Sequence, residues 1–89
     1  MLTKTVTIIN KLGLHARAAA KFVSLASKYD CEIELKRDKR TVNGKSIMGV
    51  MLLAAAKGTD LELVTHGNQE AEAMDALCNL IENKFDESE

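Results

Sequence analysis

Hydrophobic and polar residues alternate with a period of two in four short segments, which predicts four β-strands. The clearest segment is "CEIELKR", in which Cys31, Ile33 and Leu35 face one way and charged residues face the other. The other segments are "LTKTVTIIN" at the start, "RTVN" after a polar break, and "DLELVTH" further along the chain. Asn43 and Gly44 form a strong turn signal, so we expect the third strand to end there.

Three other segments have hydrophobic residues at the spacing of an α-helix. The first, "ARAAAKFVSLASKY", starts at about Ala16. The second, "SIMGVMLLAAAK", is short and apolar, with Ser46 as its expected N-cap and Gly58 as its expected end. The third runs from about Gln69 to Lys84, where the lysine suits the negative end of the helix dipole. The acidic "DESE" that follows is expected to fray.

These elements follow one another in the order βαββαβα, without an evident linker. The polar alternate positions of the strands imply that one face of the sheet is in contact with water. We therefore predict an α+β fold with a four-stranded antiparallel sheet and all three helices packed on one face. The length is enough for one such core and too short for two, so residues 1–89 are expected to form a single domain.

The composition excludes several classes of protein. With 46% hydrophobic and 28% charged residues the chain is globular, and twelve basic against thirteen acidic residues create no field that attracts nucleic acid or anionic membrane. No window approaches the roughly 18 apolar residues of a membrane span, and a signal peptide is not evident, so we expect a cytoplasmic protein. Cys31 and Cys78 lack metal-ligand spacing and are expected to be reduced.

The candidate chemistry lies in "NKLGLHAR", between the first strand and the first helix. Gly13 gives this turn its conformational freedom, and His15 then falls at the N-cap of the helix. The free backbone N–H groups of Ala16 and Arg17 would point at a group on the ring, and helix N-termini bind phosphate. The same positive end favours a neutral, nucleophilic imidazole, and the Arg17 guanidinium suits phosphate oxygens. The motif is therefore suited to covalent capture of a phosphoryl group.

The sequence lacks several other motifs that carry catalytic or metal-binding chemistry. It has no P-loop, zinc signature, nucleophile elbow or evident carboxylate cluster for Mg²⁺. We therefore expect no metal and no cofactor. Phosphoryl transfer needs mainly positioning and charge neutralisation, so we expect a partner protein to deliver the phosphoryl group.

These residues resemble the HPr family, the histidine-containing phosphocarriers of the bacterial phosphoenolpyruvate-dependent phosphotransferase system. The resemblance runs from "TKTVTIINKLGLHAR" through "VNGKSIMGVMLLAAAKG" to the last helix. It implies an open-faced β-sandwich and a carrier protein that is not an enzyme. It further implies that His15 accepts the phosphoryl group through Nδ1, that Arg17 stabilises it, and that Ser46 matches the site that HPr kinase/phosphorylase modifies in some bacteria.

The resemblance also implies partners: Enzyme I as donor and IIA-type proteins as acceptors, in sugar uptake or in a regulatory branch. Family positions that form the docking surface around the histidine match Ile47, Met48 and Met51. We assign Ala20 and Lys21 of the first helix to the same surface. Core packing is the alternative role for the apolar residues of the second helix. A carrier that presents one face to successive partners is expected to be a monomer.

Two positions depart from the family pattern. The family commonly has proline after the arginine, where this chain has Ala18, so slightly more fraying and unchanged chemistry are expected. Many relatives carry a glycine near Ala54, and alanine there should favour the short helix.

Two alternative functions remain open. One is the nitrogen-related phosphocarrier, which acts in regulation without sugar transport; the segment "NGKSIMGV" favours the ordinary HPr-like form. The other is a non-catalytic module that binds RNA or peptides. Its aromatic residues, Phe22, Tyr29 and Phe85, lie outside the predicted strands, which argues against a platform for stacking bases.

Overall fold

The computed structural model describes residues 1–88 and has the predicted order of elements. The elements are β1 (Leu2–Thr7), α1 (Ala16–Ala26), β2 (Glu32–Arg37), β3 (Arg40–Asn43), α2 (Ile47–Leu52), β4 (Asp60–His66), α3 (Glu70–Glu82) and a 3₁₀ turn at Lys84–Asp86. The predicted α+β fold class is confirmed.

The sheet is antiparallel throughout, with the strands in the order β1-β4-β2-β3. Thr7 at the end of β1 pairs with Asp60 at the start of β4. The backbone contact continues beyond the strand, because the Ile8 N–H donates to the Thr59 carbonyl at 2.9 Å. The loop that follows β1 therefore runs beside the loop that precedes β4, and this contact positions the histidine loop.

The core lies between the sheet and the helices. Leu35 of β2 and Leu63 of β4 pair in register, and both are fully buried. Phe22 of α1 and Leu77 of α3 are also fully buried and belong to the same hydrophobic cluster. Glu34, which alternates with the inward residues of β2, is exposed. The period-two pattern thus separates a covered face from a wetter one.

The end of α2 differs from the prediction. The helix ends at Leu52, and Gly58 lies beyond it in the turn that leads into β4. The Arg37 guanidinium donates to the Leu53 carbonyl at 2.6 Å and to the Ala54 carbonyl at 3.0 Å. A side chain from the β2–β3 hairpin thus satisfies carbonyls at the helix end, and a capping glycine is not needed.

The expectation that Ala54 favours this helix is also wrong. Ala54 lies after the helix and has a left-handed backbone, with φ of 50°. Alanine is less favourable than glycine in that conformation because its Cβ crowds the backbone.

The C-terminal segment is packed against the domain, contrary to the prediction that it frays. Helix α3 ends at Glu82, so Lys84 lies outside its last turn. Left-handed backbone angles at Lys84, Phe85 and Asp86 fold the chain back, and the Phe85 side chain is fully buried. Burial of this aromatic ring holds the segment in place as far as Glu87. The expectation for Glu89 lies outside the described residues.

Cys31 and Cys78 are free thiols, as predicted, and burial raises the pKa of both. None of the helices formed by residues 1–88 has the length and apolar character needed to cross a membrane.

Candidate functional site

His15 is the N-cap residue of α1, as the sequence predicts. Its backbone is extended, with φ of −73° and ψ of 178°, and its carbonyl accepts the Ala19 N–H at 2.8 Å. The preceding Leu14 is buried, and its N–H donates to the Ala55 carbonyl at 2.8 Å. The backbone of His15 is therefore held in place by buried Leu14 on one side and by α1 on the other.

Gly13 allows this loop to approach the segment before β4. Its φ is +67°, in the left-handed region that favours glycine. A Cβ atom there would lie 2.4 Å from the Ala55 carbonyl oxygen and 2.9 Å from the Ala56 Cα. Glycine is therefore required at this position both by the backbone angle and by the space available.

The start of α1 presents groups that suit an anion. The helix has no side-chain cap hydrogen bond and no acidic residue in its first turn. The N–H groups of Ala16 and Arg17 lie among the unpaired donors of that turn. The Arg17 side chain is exposed and forms no hydrogen bond or ion pair within residues 1–88. Ala16 and Arg17 directly follow His15 in the chain, so these groups belong to the helix start that His15 caps.

Glu87 also belongs to the site, although the sequence analysis did not identify it. Its Oε2 lies 2.5 Å from His15 Nε2, and its Oε1 accepts the Asn10 Nδ2 group at 2.9 Å. The side chains of His15 and Glu87 are 27% and 15% exposed. The hydrogen bond from Asn10 lowers the pKa of Glu87. Desolvation raises this pKa, but His15 and Lys21 lower it further, so the net shift is downward.

The sequence gives only a partial indication that Glu87 contacts His15. "DESE" has the composition of a solvated tail, and nothing in it indicates a buried partner. Phe85 is the apolar residue that could have indicated packing of the segment. Asn10, a polar residue in the loop three residues after β1, is fully buried in the structure.

Ser46 caps α2, as predicted. Its Oγ accepts the Gly49 N–H at 3.1 Å. Ile47, Met48 and Met51 are 44%, 73% and 40% exposed, so much of each side chain lies outside the core. We call these three residues the α2 apolar patch.

The structure also exposes two large apolar residues that the sequence analysis did not assign to a docking surface. Leu12 is 67% exposed in the histidine loop and Leu52 is 60% exposed at the end of α2. Ala20 and Lys21 are half-buried on α1, which packs against α2. The Lys21 ammonium donates to the Phe85 carbonyl at 2.7 Å, so it helps to hold the C-terminal segment. In residues 1–88 no three His, Cys, Asp or Glu side chains are grouped to hold a metal ion.

Comparison with known proteins first defines the class of protein. The family model described as the PTS HPr component phosphorylation site matches residues 2–83, which places the chain among phosphocarriers of the phosphotransferase system. The phosphocarrier protein HPr of Pseudomonas aeruginosa is 61% identical over 85 residues, 94% of each chain. HPr of Pseudomonas putida is 57% identical over the whole of both chains. The chain belongs to the HPr family.

Solved structures agree with this assignment. The crystal structure of HPr-C-His from Thermoanaerobacter tengcongensis has a TM-score of 0.96 and 47% identity over all of both chains. A phosphocarrier HPr from Bacillus anthracis has a TM-score of 0.87 and 40% identity, covering 90% of this chain and 95% of the other. The predicted family and fold are thus confirmed, and the chain fits a non-catalytic carrier.

Proposed function

We propose that His15 accepts a phosphoryl group on Nδ1 from phosphorylated Enzyme I and passes it to IIA-type proteins. The observation that carries the proposal is the position of His15 at the N-cap of α1, where Ala16 and Arg17 supply unpaired helix N–H groups. Imidazole is the nucleophile, and the helix start and the guanidinium neutralise charge on the phosphoryl oxygens. Ala18, which stands where the family commonly has proline, is the buried third residue of α1. We expect this replacement to leave the phosphoryl chemistry of His15 and Arg17 unchanged.

Release of the phosphoryl group is as important as its capture. A carrier that bound the group too tightly would trap the intermediate. The His15 side chain is 27% exposed, and Arg17, two residues further along the chain, is the cation that we assign to the site. Partial exposure with limited charge neutralisation suits a relay in which the next partner takes the group away.

The docking surface in this proposal combines the α2 apolar patch with Ala20 and Lys21 of α1. Methionine side chains adapt to differently shaped partners, and Met48 is the most exposed residue of the patch. The structure does not require Met48 for the core, which favours docking over the alternative of core packing. Helices α1 and α2 pack against each other, and Ala20 and Lys21 lie one to two turns from the start of α1, so we expect a partner bound here to reach His15.

Regulation at Ser46 is part of the same proposal. A phosphate on Ser46 would stabilise the start of α2 and place negative charge beside the α2 apolar patch. HPr kinase/phosphorylase is the expected source of that phosphate. We expect Ser46→Asp to weaken Enzyme I binding with little loss of stability, while Ser46→Ala, which lacks the charge, binds normally. Equal affinities for the two variants would argue against electrostatic control.

We propose a monomeric, cytoplasmic carrier, because a carrier must present the same face to successive partners. A solved HPr from Thermoanaerobacter tengcongensis is described as a dimer, with a TM-score of 0.79 and 48% identity. Sedimentation at the assay concentration tests the monomer. A stable dimer would contradict it.

The function is tested by intact mass after incubation with phosphoenolpyruvate and Enzyme I from a matched source. The native chain and His66→Ala, a control at the exposed end of β4, should each gain one acid-labile phosphoryl group. His15→Ala should gain none. Addition of a IIA-type protein should then remove the group from the native chain. Labelling of His15→Ala at the native level would exclude His15 as the acceptor.

A further inference from the structure

The C-terminal segment brings a carboxylate to the ring edge that carries Nε2. Phe85 is buried, the Lys21 ammonium holds its carbonyl at 2.7 Å, and left-handed angles at residues 84–86 turn the chain toward the histidine loop. Glu87 is the next residue, and its Oε2 lies 2.5 Å from His15 Nε2. The contact is thus fixed by packing from the far end of the chain.

Asn10 determines which oxygen of Glu87 faces the ring. Its side chain is fully buried, and its Nδ2 group donates both to the Gly13 carbonyl at 2.8 Å and to Glu87 Oε1 at 2.9 Å. Turning the amide over would place an oxygen against two acceptors, so the Asn10 nitrogen must point this way. Oε1 is then occupied, and Oε2 is left for His15.

The contact has a consequence for the histidine tautomer. An ionised carboxylate only accepts hydrogen bonds, so a hydrogen must lie on His15 Nε2. A neutral imidazole carries one such hydrogen, and therefore the lone pair lies on Nδ1. We propose that Glu87 is a positioning residue that selects the nucleophilic Nδ1 tautomer of His15 and retains the proton on Nε2 throughout phosphoryl transfer. The inference rests on the proposed function and deepens it.

The transfer balances without proton movement at this site. The Nδ1 lone pair forms a bond to phosphorus while the bond between phosphorus and the donor breaks, and the donor keeps that electron pair. The ring becomes a phosphorylated imidazolium, with its Nε2 proton on the Glu87 carboxylate. In the onward step the Nδ1–phosphorus bond breaks, and its electrons return to the ring. A positively charged ring is the better leaving group, so Glu87 favours release as well as capture.

Glu87→Gln gives a sharp test, because the Asn10 Nδ2 group faces residue 87 and can only donate a hydrogen bond to it. The amide oxygen of the glutamine should face Asn10, and its NH₂ group should donate to His15 Nε2. This reverses the tautomer, placing the hydrogen on Nδ1. Glu87→Ala removes the contact and should leave a mixture of the two tautomers. Asp86→Asn is the matched control, since it removes an adjacent negative charge and suits the left-handed backbone there.

The readout is ¹⁵N NMR of histidine-labelled protein at alkaline pH, together with the rate of phosphorylation by Enzyme I. We expect the Nε2–H tautomer in the native chain and in Asp86→Asn, and the Nδ1–H tautomer in Glu87→Gln. Loss of a hydrogen bond to a charged group predicts transfer about 10- to 100-fold slower in Glu87→Gln, with Glu87→Ala in between. A tautomer that is the same in all four proteins would overturn the inference. Absence of phosphorylation of the native chain would instead contradict the proposed function.

Discussion

Replacing Gly13 by alanine tests how the histidine loop is held. The substitution forces a non-glycine residue to φ of +67°, which costs about 1–2 kcal/mol. The new Cβ would also lie 2.4 Å from the Ala55 carbonyl oxygen, so the loop and that segment must move apart. Overpacking of this kind costs about 1–3 kcal/mol more. We therefore expect Gly13→Ala to lower the free energy of unfolding by about 2–5 kcal/mol.

Gly58→Ala is the matched control. Gly58 also has a positive φ, +91°, but a Cβ there would have nothing within 4 Å. It should therefore lose only the backbone contribution, about 1–2 kcal/mol. Urea denaturation followed by circular dichroism measures both variants. If Gly13→Ala proved no less stable than Gly58→Ala, the close approach of the loop to Ala55 would be refuted.

Three further variants have clear expected outcomes. Ala54→Gly should stabilise the fold by about 0.5–1 kcal/mol in urea, because glycine relieves the left-handed backbone; destabilisation would contradict that. Phe85→Ala should cost about 3–5 kcal/mol in the same assay, and a loss below about 1 kcal/mol would show that the C-terminal segment is not anchored there. Arg17→Ala should slow phosphorylation about 10- to 100-fold while the free energy of unfolding changes by less than about 0.5 kcal/mol. Lys28→Ala is the control for loss of an exposed cation. Unchanged kinetics of Arg17→Ala would remove Arg17 from the mechanism.

Much of the fold follows from the sequence because local patterns and tertiary burial agree. Leu35 and Leu63 sit at alternate positions of their segments and meet across the sheet. Ser46 is both a good N-cap residue and an observed cap. His15 falls between a strand and a helix, so its N-cap position is also determined by local sequence.

The features that were missed depend on contacts between distant residues. Arg37 caps the end of α2 from another element, which no local pattern indicates. Glu87 reaches His15 across the domain because Phe85 is buried, and an acidic tail alone predicts solvation. Asn10 is buried between the histidine loop and the C-terminal segment, where its Nδ2 group donates to the Gly13 carbonyl and to the Glu87 carboxylate. The immediate site is thus readable from one motif, while its supporting contacts need the tertiary structure.

The central claim is that Nδ1 of His15 carries the phosphoryl group. It is tested most directly by ³¹P and ¹⁵N NMR of histidine-labelled protein after phosphorylation by Enzyme I and phosphoenolpyruvate. We expect a single phosphorus coupled through one bond to Nδ1 of His15, and loss of that coupling when a IIA-type acceptor is added. Coupling to Nε2, coupling to His66, or no coupling with an active Enzyme I would contradict the account.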